Sequence, residues 1–469
     1  MPPFEFAKRL FWVQYTYIGT IFSLIHPADF EERLKTVYDQ PPDFSSRESC
    51  LVYCQVLLVI AFGLMYSVNQ WSGDDGPPGF KYFKHALRFL PDIHEEGSIF
   101  FVEVLCYVAY YMQNLNRRDA AFLYVFTKRS PTPQLVKVIE TAGDEHGGLY
   151  IVWIVLTYYT QLSRILGRIG EGEDSQILYS GKSLLTIVLE IYRKKPRSGS
   201  NLLASAQSIT NDLSEWLQRI PDRLRIDFSS LNSHVNRESV SIFLHFYSCV
   251  NMTARPLVFY VIQRRLDAGD QSSATSDWKE GLSPNTVAVI DSCISAARAT
   301  TVIMDAAAKQ NLVATYGYLD GEYVFSAALL LVMVNAAFPH NEANARSMGV
   351  ALSLLRGMAD RGNAYLASRH SLLIELQSAI GPNHTRRDDL AVGTPITPSS
   401  IPQASPATNV VADQTPVVST EWPSQQDLPS MRDISFNFDI NDDPGLWEEV
   451  LDQIDIDMDT DWIENTLKK

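Results

Sequence analysis

The chain has 469 residues, 46% of them hydrophobic, and a formal net charge of −15. That is enough apolar material for one large core or two ordinary ones. The acidic balance argues against non-specific nucleic-acid binding by the body of the protein.

Cys50, Cys54, Cys106, Cys249 and Cys293 are an odd set in apolar surroundings, which reads as reduced thiols in a cytosolic or nuclear protein. The start, "MPPFEFAKRLFWVQYTY", lacks the charged, apolar and small-residue order of a secretory signal. Residues 1–381 then read as helix after helix, with apolar positions at a period of 3.6 and short breaks such as "DQPPDFSS" and "SGDDGPPG". "CLVYCQVLLVIAFGLMYSV", Cys50 to Val68, runs without a charge for the length of a bilayer span. No Lys/Arg cluster flanks it, so a buried helix of a large helical body is the preferred reading over a membrane span.

Searches for chemistry return little. Gly181-Lys182-Ser183 ends like a phosphate-binding loop, but Gln176 stands where the first glycine is needed. The glycines of "GRIGEG", Gly167 to Gly172, have the wrong spacing for a dinucleotide turn. Cys50 and Cys54 share a helical face, yet two ligands do not make a zinc site. His85 and His245 lie among aromatics and read as packed residues. No catalytic residue, cofactor site or metal ligand is assigned, and no enzymatic activity is expected. The basic run Arg193, Lys194, Lys195 and Arg197 reads as a nuclear import signal or as a solvated helix end.

After Gly381 the composition shifts. Residues 382–430 are rich in Pro, Ser, Thr and Gln and are expected to be a disordered linker. Residues 431–469 carry twelve Asp/Glu and three Lys/Arg, a net of −9. Within that charge, Trp447, Val450, Leu451, Ile454 and Met458 trace one helical stripe. Repulsion keeps such a segment open alone, while a partner with an apolar groove and a basic rim lets it fold and bury its aromatics. The expected anchors are Phe436, Phe438, Leu446, Trp447, Val450, Leu451, Ile454 and Trp462.

Five phrases in the body, in order, resemble the regulatory domain of the fungal zinc-cluster transcription factors, the middle homology domain. They are "YYMQNLNRRDAAFLYV" (Tyr110 to Val125), "LSEWLQRIPDRLRID" (Leu213 to Asp227), "FYSCVNMTARPLVFYV" ending its apolar helix near Arg255-Pro256, "CISAARAT", and "GMADRGNAYLASRHSLLIEL" with Met358, Gly362-Asn363, Ala367 and Leu373. The segment from Phe126 to Val152 departs from the family pattern, and no C-x2-C-x6-C repeat occurs in this chain.

The resemblance implies an all-α regulatory domain in a nuclear transcription regulator of the activator type. Zinc is expected only in the family's missing module, and DNA only through a module or partner outside this chain. The implied partners are a transcriptional coactivator or the general transcription machinery, and a second chain in a homo- or heterodimer, with no membrane. The alternative is a helical integral membrane protein with an acidic cytosolic tail. Independently of the family, Leu213, Trp216, Leu217 and Ile220 form one stripe that Pro221 should end. Arg255 before Pro256 should be extended and turn the chain.

Overall fold

The computed structural model describes residues 1–22, 25–67, 71, 76–91, 98–117, 154–155, 157–163, 165, 199–231, 234–267 and 278–380. The fold is all-α, and among the described residues there is no strand. Helix starts follow side-chain chemistry. Ser98, Ser283 and Asn341 each accept from the backbone N–H three residues on, satisfying donors that have no partner in the first turn.

The amino-terminal helices are α1 (Phe4–Gln14), continued by a π-helical turn (Tyr15–Gly19), α2 (Pro27–Asp39), α3 (Arg47–Ser67), α4 (Phe80–Ala86) and α5 (Ile99–Asn114). Their apolar faces close one core, with α3 at its centre and the rings of Phe83 and Tyr111 stacked at 4.1 Å. Helix α1 crosses α3 at Gly63, where a Cβ would meet the Leu10 carbonyl oxygen at 2.4 Å, so only glycine lets the backbones come this close. The charge-free run of the sequence is therefore a helix covered by other helices. Among the described residues it is one of three helices, with Pro284–Lys309 and Tyr318–Ala337, that are long and apolar enough to cross a membrane; most of the apolar stretch of each is buried inside the fold.

The second core is built by a helical segment within 154–165 (α6), α7 (Gly199–Arg219), α8 (Arg237–Asp267), α9 (Pro284–Lys309), α10 (Tyr318–Ala337), α11 (Glu342–Asp360) and α12 (Ala364–Ile380). Helix α10 packs against α8, α9, α11 and α12 and also touches α5. The "LSEWLQRIP" phrase behaves as its pattern predicts. Leu213, Trp216 and Ile220 are buried, and Trp216 donates its indole N–H to the Tyr158 carbonyl at 3.1 Å. The helix stops before Pro221, and Arg225 caps the end by donating to the carbonyls of Ile220 and Gln218.

Arg255-Pro256 does not turn the chain. Pro256 lies inside α8, which continues to Asp267. Leu257, Val258, Phe259 and Ile262 beyond it are buried, and Arg255 reaches Ser326 Oγ at 3.3 Å. Burying that half-helix outweighs the one backbone bond the ring removes, a helix-interior cost of about 3 kcal/mol.

Candidate functional site

The two cores meet at the segment joining α9 to α10, and the side chains gathered there form a buried polar seam. Asn311 takes a left-handed conformation that frees the chain from α9. Arg237, at the start of α8, donates through both terminal nitrogens to Asp320, with Nη1 to Oδ2 and Nη2 to Oδ1 each at 2.9 Å. Asp320 Oδ2 also accepts from the Ala314 backbone N–H, and Arg237 Nη1 donates to the Leu312 carbonyl. Burial works against the guanidinium's charge, but the Asp320 carboxylate more than offsets it, so the Arg237 pKa lies above its ordinary value.

From the amino-terminal core, Tyr17 lays its ring 5.6 Å from the guanidinium and donates to the Asn311 carbonyl. Asn114, from the "QNLNRR" phrase, accepts from the Tyr318 N–H at 2.7 Å. Asn116 is left-handed, and Arg117 returns its N–H to Met112, which closes α5. From the carboxy-terminal side, Asn363 donates to the Thr315 carbonyl and Tyr316 to that of Arg361. Gly362, at φ +102°, is the one residue type that fits here, since a Cβ would lie 2.0 Å from the Trp71 carbonyl oxygen. Two of the resembling phrases thus place their asparagines on opposite sides of one connection.

Deeper in the seam is a closed polar ring. Ser163 donates to the Tyr159 carbonyl at 2.9 Å, which uses its only proton. His245 Nε2, 3.3 Å from Ser163 Oγ, therefore carries the imidazole proton, and Nδ1 accepts from Tyr323 Oη at 3.2 Å. Tyr159 and Tyr323 are joined through their hydroxyls, and the Tyr159 ring stacks on the imidazole at 4.4 Å. Burial pushes the His245 pKa down to about 3, so the ring is neutral. Burial likewise raises Tyr159 and Tyr323 above the ordinary phenol value, and Tyr110 is pushed up to about 12. Among the described residues these buried neutral groups satisfy one another, an arrangement that holds helices together.

His85 lies near the surface, edge-on to Tyr53 and Phe89. All five cysteines are free thiols, and burial raises Cys54 to about 12, with Cys50 beside it adding to the shift. Among the described residues no three His, Cys, Asp or Glu side chains are arranged to hold a metal. The import run Arg193, Lys194, Lys195 and Arg197, the glycine motifs at 167–183, the segment 126–152 and everything from 381 onward, including the eight tail anchors, lie outside the described residues. The seam itself was not singled out by sequence pattern. Its one signal was the pair of carboxylates, Asp320 and Glu322, in the first turns of a helix that is apolar for most of its length.

No protein-family model, curated protein or solved structure matches the chain.

Proposed function

We propose that this chain is a nuclear transcription regulator of the activator type, working through protein–protein contacts rather than through catalysis. In this reading the helical body is a regulatory platform. Residues 431–469 engage a coactivator or the general transcription machinery through Phe436, Phe438, Leu446, Trp447, Val450, Leu451, Ile454 and Trp462. DNA is reached through a module or partner outside the chain.

The observation that carries the reading is the tail's sequence: a stripe of large apolar residues set among twelve carboxylates. A segment serving solubility alone has no use for that stripe. A segment that folds against an apolar groove needs both, the stripe for affinity and the charge for encounter. The ordered resemblance of the body phrases adds the family context. Burial of most of each long apolar helix supports a packed body over the membrane-spanning alternative.

The test is to fuse residues 431–469 to an unrelated DNA-binding domain and measure a reporter. The fusion activates, and changing Trp447, Leu451 and Trp462 together to Ala removes most of the signal, since aromatic anchors in such grooves contribute about 2 kcal/mol or more each. Equal activity from the triple variant would overturn the mechanism. Recovery of the full chain in a membrane pellet that resists alkaline washing would replace the reading with the membrane alternative.

A further inference from the structure

Helix α4 carries "FKYFKHA" and runs on into the turn Leu87–Phe89. Lys81, Lys84 and Arg88 fall on one stripe of this helix, and all three are exposed. Among the described residues none of them forms an ion pair; Lys81 and Lys84 instead lie over the rings of Tyr82 and Phe80, at 5.3 and 5.0 Å. At the end of this helix, against Phe89, is the most exposed large apolar side chain among the described residues, Phe44, with 75% of its surface open. It stacks on Phe89 at 5.5 Å, and Phe89 meets the edge of Tyr53 at 4.6 Å. Among the described residues, this surface therefore combines three cations without carboxylate partners and one widely open ring, Phe44, backed by the buried Phe89 and the half-buried Tyr53.

We propose that this face of α4, with Phe44, Tyr53 and Phe89, is the docking surface for the acidic segment Leu446 to Met458 of the same chain. The segment has the complementary chemistry. Trp447, Val450, Leu451, Ile454 and Met458 supply an apolar stripe for Phe44 and the rings behind it, while Glu448, Glu449, Asp452 and Asp455 supply carboxylates for Lys81, Lys84 and Arg88. Complementary charge selects this occupant over a second body, since residues 1–381 are themselves acidic on balance: −3 remains after the tail's −9 and the linker's −3 are taken from −15. Reach is no obstacle. The roughly 65 residues between Ile380 and Trp447, as a coil, span about 45 Å on average and far more when extended. Tethering also raises the effective concentration to about the millimolar range, so a weak contact suffices. The same apolar stripe would then serve the body and a coactivator in turn, so the two compete. The inference rests on the reading of this segment as an acidic amphipathic helix, but its test reads contact and not activation, so a failed reporter assay leaves it standing.

The experiment uses the full chain at low micromolar concentration, a zero-length carbodiimide cross-linker and peptide mapping. The expected product joins Lys81 or Lys84 to Glu448, Glu449, Asp452 or Asp455 within one chain, at a yield unchanged by tenfold dilution. The substitutions Lys81→Glu, Lys84→Glu and Arg88→Glu fall on exposed side chains and remove no buried contact. They should lower protection of residues 446–458 in hydrogen exchange by tenfold or more. Trp447→Ala with Leu451→Ala keeps every charge and should lose the cross-link equally. A cross-link that falls in proportion to dilution assigns the surface to the tail of a second copy and overturns the intrachain proposal. Cross-links from Lys81 and Lys84 only to sequence neighbours such as Asp92 or Glu95 overturn it as well.

Discussion

Arg237 and Asp320, 83 residues apart, form a two-pronged ion pair whose side chains are 9% and 2% exposed, at the point where the two cores of the protein meet. Around it the connection from α9 to α10 is held by groups from the π-helical turn after α1, from α5 and α8, and from the turn before α12. The pair is the place where the two halves of the body become one.

Removing one partner should therefore cost more than removing both. Arg237→Met leaves the Asp320 carboxylate buried without its cation, and the expected loss is about 3–5 kcal/mol. Adding Asp320→Leu should restore part of that loss, so the double variant is more stable than Arg237→Met alone. Urea unfolding of the four proteins gives the coupling energy, and simple additivity would show the two residues to be energetically independent.

Acid should unfold the body through His245. Its folded pKa of about 3 lies below the ordinary 6.5, so the unfolded chain binds the extra proton between those values. Stability contributed by the neutral ring is complete above pH 6.5 and is lost as pH falls toward 3, at up to about 1.4 kcal/mol per unit. His245→Gln, which cannot titrate, is less stable at pH 7 but should lack this slope. Thermal unfolding from pH 4.5 to 7 compares the two.

Glu103 should act in the opposite direction. Desolvation by burial raises its carboxyl to about 7, against the pull of Arg33, whose Nη1 is 3.9 Å away. A raised acid favours the fold while protonated, so this contribution is present below about 4.5 and is lost as pH rises through 7. Glu103→Gln mimics the protonated form. With a third of the side chain exposed and screened, the variant should match the parent near pH 4 and exceed it by about 1–2 kcal/mol at pH 8.

Pro256→Ala tests the continuity of α8. Pro256 is half-buried, so little packing is lost, and alanine restores a backbone donor in the helix interior. The expected change is a gain of about 1 kcal/mol. A loss of 2 kcal/mol or more would mean that the ring's shape is needed where α8 passes α10.

Apolar periodicity determined the class of this protein. The helices containing Cys50 to Ser67 and Leu213 to Arg219 are written in local spacing, and the stop before Pro221 in the ring's missing donor. The acidic-aromatic character of the tail is likewise complete in the sequence, because charge and anchor residues are properties of composition. The polar seam was not legible in that way. Arg237 and Asp320 find each other across 83 residues, and Ser163, His245 and Tyr323 come from three separate helices. No local pattern encodes such pairings, since they exist only once packing has brought distant helix faces together.

Tertiary packing also overruled a local preference at Pro256. The residue before a proline is biased away from helix by about the energy of a steric clash, but the apolar half-turns beyond it had a core to enter. Local sequence set the periods and the stops; burial, which is summed over the whole fold, decided which of those stops was obeyed.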